Sequence, residues 1–152
     1  MAVFIKRVFA LLIASLVAGV TGSVMSTYRT IIDLREIGAP ISDGTAFSTA
    51  LYDVQHFAPL YTLFITIAFL IAFLVSGGLY KTIKFGRPII YIVAGATAIL
   101  VMLYLMKQVF FGVPIVAGAR DNTGLLLQIL AGGLGGLCFA LLSKTKAQSK
   151  IA

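Results

Sequence analysis

Asn122–Ser143 reads NTGLLLQILAGGLGGLCFALLS, twenty-two residues without a charge. A helix needs about 20 apolar residues to cross a bilayer, and within lipid an isolated segment satisfies its own backbone only as a helix. Asp121, Asn122 and Thr123 open the run with side chains suited to cap exposed helical N–H groups. Inside it, Gln128, Gly132, Gly136 and Ala140 recur every four residues and share one helical face. Gly132 and Gly136 form a GxxxG, a spacing at which helix backbones approach closely.

Three more uncharged runs extend this pattern: Val8–Tyr28 with 21 residues, Phe57–Tyr80 with 24 and Pro88–Met106 with 19. Pro59 and Pro88 suit first helical turns, where a missing N–H costs nothing. The first run follows Lys6 and Arg7, as a secretory signal would. It is longer than the usual apolar region of about 7–15 residues, so a retained helix is expected. The chain is 60% hydrophobic and 11% charged, against roughly 25% charged in soluble domains, and its mean hydropathy is +1.05. The expected fold is therefore an all-α, four-transmembrane-helix bundle forming a single integral membrane domain over 1–152, with spans about 8–28, 58–80, 88–106 and 122–143.

The outer loop 29–57 is the only long connection. Tyr28–Ile37 reads as one helical piece, with Arg29 and Asp33 four apart. Gly38-Ala39-Pro40 breaks it. From Asp43, the residues Phe47, Ala50, Leu51 and Val54 define one face of a short amphipathic helical segment, expected along the membrane surface or capping the bundle. The apolar stretch 108–119 holds Gly112 and Pro114, is too short to span, and reads as an interfacial loop. Tyr52, Tyr61, Tyr80 and Tyr91 fall near the expected interfaces, where they would serve as an aromatic belt in a chain without tryptophan.

Charge fixes an expected orientation. Lys6, Arg7, Lys81, Lys84, Arg87, Lys144, Lys146 and Lys150 lie on one side with no acidic residue among them. Arg29, Arg35, Lys107 and Arg120 share the other side with Asp33, Glu36, Asp43, Asp53 and Asp121. The positive-inside rule places both termini of this multi-pass protein in the cytoplasm. The net charge of +7 is then a topology signal, with anionic lipid headgroups as partners of the cytoplasmic basic residues. No groove-reading motif or basic–aromatic interleaving points to nucleic acid.

The chemistry open to the chain is narrow. One cysteine, Cys138, and one histidine, His56, cannot build a Cys or His cluster. No catalytic, cofactor-binding or metal site is expected. No carboxylate or basic residue lies deep in a span, as proton-coupled carriers normally require. Asp53 and His56 are three apart, and with Arg120 and Asp121 they form the candidate outer polar site. The alternative for these four is ordinary capping, snorkelling and hydrogen bonding. The second candidate is a helix-packing or partner interface of Gly132, Gly136, Ala140 and Gln128 with Ala14, Ala18 and Gly22 of the first span. Ser15, Gly19 and Ser23 make a parallel set. Such stripes serve packing within one chain and association between chains alike.

Pro114-Ile115, Ala117-Gly118-Ala119-Arg120, Gly124, Gln128, Ala131-Gly132, Gly135-Gly136 and Phe139-Ala140 together resemble the C-terminal signature of a family of small, uncharacterised bacterial four-span inner-membrane proteins. The resemblance covers about the last third of the chain and implies a bacterial inner membrane, with no activity attached. The function expected is that of a non-enzymatic accessory or scaffold subunit of a larger membrane assembly, or of a self-associating bundle. A small oligomeric transporter, channel or lipid-handling protein is the alternative, and a membrane enzyme comes third.

Overall fold

The computed structural model describes residues 2–83, 86–111 and 116–144. Among them the regular structure is helical: α1 (Ala2–Glu36), α2 (Asp43–His56), α3 (Ala58–Ile83), α4 (Arg87–Val109), a 3-10 turn (Ala117–Ala119) and α5 (Asn122–Leu142). Four of these helices are long and apolar enough to cross a membrane: α1, α3, α4 and α5. Lys84, Gly112, Pro114, Lys146 and Lys150, and with them the middle of the 108–119 stretch, lie outside the described residues.

The first helix differs from the expected span 8–28. It runs unbroken for 35 residues, about 52 Å at 1.5 Å per residue. The piece expected at 28–37 is its outer extension. Gly38, at φ 85°, ends it. Gly38 N–H donates to the Arg35 carbonyl and Ala39 N–H to that of Leu34, each at 3.0 Å. This paired pattern takes up the last carbonyls, and its left-handed residue favours glycine.

Ser42 caps α2 by accepting from the Thr45 N–H at 3.2 Å. Phe57 alone separates α2 from α3. Pro59 has no N–H to continue the ladder, so the chain turns there without a loop. α2 packs on α1 and α3 but buries no residue, and Phe47, Leu51 and Tyr52 stay exposed.

The four long helices form a ring in chain order, with α1 against α3, α3 against α4, α4 against α5, and α5 closing back on α1. The closing contacts use residues without bulk. On α1, Ala14, Ser15, Ala18, Gly19, Gly22 and Ser23 are all buried along one face. A methyl added at Gly135 of α5 would sit 2.9 Å from the Ala18 Cβ and 2.6 Å from Phe69 Cε2. Between α4 and α5 the backbones themselves touch. A methyl on Gly132 would lie 2.5 Å from the Gly95 carbonyl oxygen, and one on Gly136 would collide with the Tyr91 carbonyl. Ala140 is fully buried.

Across the ring, α3 reaches α5 with long side chains. Phe73 stacks on Phe139 at 4.4 Å between centroids, and Tyr91 packs edge-on to Phe73 at 5.5 Å. Tyr61 and Tyr91 are thus core residues, 2% and 6% exposed, and not members of an aromatic belt.

Gly136→Ala should cost about 1–3 kcal/mol through overpacking against the α4 backbone. Gly78→Ala, where nothing lies within 4 Å of the added carbon, should stabilise by about 1 kcal/mol through helix propensity. Thermal midpoints in a mild detergent give the comparison. Equal midpoints for the two variants would contradict the backbone contact at Gly136.

Candidate functional site

The candidate residues fall in two places, a buried polar joint and an outer network. Gln128 occupies the first and is 0% exposed. Tyr61 donates its hydroxyl proton to Gln128 Oε1 at 2.8 Å, and Gln128 Nε2 donates to the Gly22 carbonyl at 2.9 Å. One amide thereby joins α1, α3 and α5. Gly22 has no room for a side chain, because a methyl there would lie 2.8 Å from Gln128 Oε1. Around this joint, Gly132 and Gly136 face α4, while Ala18 and Gly22 face α5, so these small residues pack inside the chain.

The outer network is centred on Arg29, which stands on the extension of α1. Its Nη2 lies 2.8 Å from Asp33 Oδ1 and 3.1 Å from Asp121 Oδ2, and its Nε donates to the same Asp121 oxygen at 3.1 Å. Asp121 also caps α5, accepting from the Gly124 N–H at 3.0 Å. The Gly118 N–H donates to Ser26 Oγ at 3.0 Å, which holds the 3-10 turn on α1. Asp53 turns to α1 and accepts from Thr27 at 2.5 Å.

The four residues of the outer polar candidate do not converge. His56 stacks on Tyr52 at 4.0 Å, with Nδ1 3.0 Å from the Tyr52 carbonyl oxygen. Asp53 and Asp121 take separate partners on α1. Arg120 is exposed and forms no ion pair among the described residues. The cation that organises this end is therefore Arg29. It reaches Asp121 because α1 continues past residue 28 as helix. No three His, Cys, Asp or Glu side chains gather as a metal site among the described residues.

Desolvation pushes the Asp121 pKa upward. The Gly124 N–H and the Arg29 guanidinium together outweigh it, holding the carboxyl below its ordinary value. A depressed folded-state pKa contributes stability above the unfolded carboxylate pKa, about 3.9. That contribution is lost as pH falls through the folded value. Asp121→Asn keeps a capping oxygen but loses the charge. It should lower the thermal midpoint at neutral pH and flatten the acid limb below about pH 4. An acid limb identical to that of wild type would show that the Arg29 pairing contributes nothing.

Two features are not legible in the sequence. One is Arg87, which reads there as a loop cation. It is the first residue of α4, is 8% exposed, and donates from Nη2 to Ser143 Oγ at 2.8 Å. The other is an apolar groove of about 750 Å³ between α3 and α4, running from Phe64 to Leu79 and from Ile89 to Phe110. Its lining includes the small residues Ala68, Ala72 and Ser76 on α3, spaced by four, and Ala94 and Ala98 on α4, also spaced by four. Ile71, Val75, Ile89 and Val93 flank them as exposed bulky residues. Alanine pairs are so common in apolar helices that this spacing alone singles out no surface. The chain matches no protein-family model, no curated protein and no solved structure.

Proposed function

We propose that the protein is a non-enzymatic, multi-pass integral membrane protein that acts as an accessory subunit, receiving a transmembrane helix of another membrane protein in the groove between α3 and α4. The groove carries the proposal. Its length follows the two helices through most of their apolar extent, and among the described residues Ser76 and Thr97 are the only hydroxyl residues in its lining. A charged or strongly polar solute would find few partners there. Small residues at four-residue spacing flanked by branched ones suit close helix approach, where dispersion supplies the attraction that lipid cannot. The glycine stripe of α5 and the small face of α1 are already occupied by their own chain, which leaves the α3–α4 side for association. The separate engagements of His56 and Asp53 favour a non-enzymatic role.

Both termini are cytoplasmic in this reading, because eight of the twelve basic residues gather at one end and all five acidic residues at the other; the bacterial inner membrane rests on the resemblance of the C-terminal third alone. In a Cys138→Ala background, a cysteine at exposed Ser42 should react with an impermeant thiol reagent on intact cells, and one at exposed Thr82 should not. The reverse pattern would invert the topology.

A photoreactive phenylalanine analogue at Ile71 or Val93 should form protein adducts in cells, while the same probe at Leu130, exposed on α5, should not. Adducts at the mass of two chains would make a second copy the occupant and remove the accessory role. Lipid adducts alone, or equal yields at Leu130, would overturn helix docking.

A further inference from the structure

A second observation, independent of the groove, concerns the basic end of the ring. Arg87 opens α4 and folds its guanidinium inward, with its carbon 5.6 Å from the centroid of the Tyr91 ring. Ser143 Oγ accepts from Nη2 and donates its own hydrogen bond to the Phe139 carbonyl at 2.5 Å, so it offers the guanidinium a lone pair and no charge. Arg87 Nε and Nη1 are both buried, and neither has a hydrogen-bond partner among the described residues.

Nor can a carboxylate side chain of this protein supply one. Asp33, Glu36, Asp43, Asp53 and Asp121 all belong to the opposite end, and residues 54–120 and 122–152 contain no Asp or Glu. α4 alone, with 23 residues, sets the two ends about 34 Å apart. The C-terminus of α5 contributes roughly half an elementary negative charge, which meets only part of the guanidinium charge. Other cations stand close by. Lys6 Nζ donates to the Lys144 carbonyl at 2.6 Å, one residue from Ser143. Gly86 gives the α4 N-terminus no side-chain cap. A buried, incompletely partnered guanidinium beside further cations is strongly unfavourable unless an anion completes it.

We infer that Arg87 is the core of a phosphate-binding site: Nη2 keeps a second N–H beside the one given to Ser143, and with the adjacent free Nε or Nη1 it forms the paired fork that grips two oxygens of a phosphate mono- or diester. Such planar, bidentate recognition is particular to arginine. Carried by a phospholipid headgroup or by a soluble phosphate, the oxyanion supplies the negative charge that no acidic side chain supplies at this end. The exposed lysines would add attraction and no geometry. This site stands whether or not a helix occupies the α3–α4 groove.

The test uses the full chain, stripped of lipid in a neutral detergent. It is titrated separately with phosphatidylglycerol, with a phosphate-free glucosyl diacylglycerol, and with inorganic phosphate. The readouts are the thermal midpoint and bound lipid by native mass spectrometry. Phosphatidylglycerol should raise the wild-type midpoint and stay bound, and the glycolipid should do neither. Arg87→Gln should weaken the apparent affinity about tenfold or more, as expected for loss of a charge-assisted pair. Lys144→Gln should leave it within about twofold, as for an exposed charge. If Arg87→Gln does not fold, Arg87→Lys carries the test, because it keeps the charge and loses the fork, with an intermediate loss expected. A matching shift with inorganic phosphate assigns the site to free phosphate, and a response to the lipid alone assigns it to a headgroup. No shift with either phosphate source, full affinity in Arg87→Gln or Arg87→Lys, or equal binding of the phosphate-free lipid would each overturn the site.

Discussion

The seam between α4 and α5 is the contact on which the rest of the ring rests. At Gly95, Gly132 and Gly136 the two backbones touch without intervening side chains. Dispersion declines steeply with separation, so this proximity sets how many weak contacts both helices make along their whole length. It also fixes the rotation of α5. With Gly132 and Gly136 turned to α4, Gln128 and Gly135 are directed at α1 and α3. The amide can then meet Tyr61 and the Gly22 carbonyl, and Gly135 leaves the slot that Phe69 fills. Small residues on three sides of one helix allow it to touch three neighbours.

Polarity and packing divide the work by depth. In the half nearer the acidic end lies one neutral joint, Gln128 with Tyr61 and Gly22. The acidic end is laced by Arg29, Asp33, Asp121, Thr27 and Asp53, which tie α1 to α2 and α5. The basic end has no such lacing from acidic side chains, because no acidic side chain is there. One end is thus closed by ion pairs within the chain. The other presents cations to whatever anions its surroundings offer.

Much of this is legible in the sequence, and the remainder is hidden for identifiable reasons. The four long apolar helices follow from uncharged runs, because a charge-free stretch of about twenty residues matches the thickness of the hydrocarbon core. The small-residue stripes of α1 and α5 are visible as fourfold spacings. Their partners are not, since a stripe does not specify which helix it meets. Gly95 stands alone on α4, and one glycine makes no repeat. Arg87 reads as loop because it is a cation one residue before an apolar run, and only the inward rotation of the first α4 turn reveals its burial. Arg29, not Arg120, reaches Asp121 because α1 stays helical beyond the apolar run, a matter of geometry that charge counting does not capture.

The position of α5 in the chain has a consequence for biogenesis. The helix that touches both neighbours most closely follows α1, α3 and α4, so it leaves the ribosome after them. Until it arrives, Tyr61 lacks its amide acceptor, Gly95 of α4 has no backbone to approach, and the small face of α1 is uncovered. In the membrane setting proposed above, the first three long helices would be held meanwhile only by the α1–α3 and α3–α4 contacts. A chain interrupted before Asn122 would remain in that state. An insertase or chaperone that shields polar and small-residue surfaces would have its longest engagement with this protein there, just before completion.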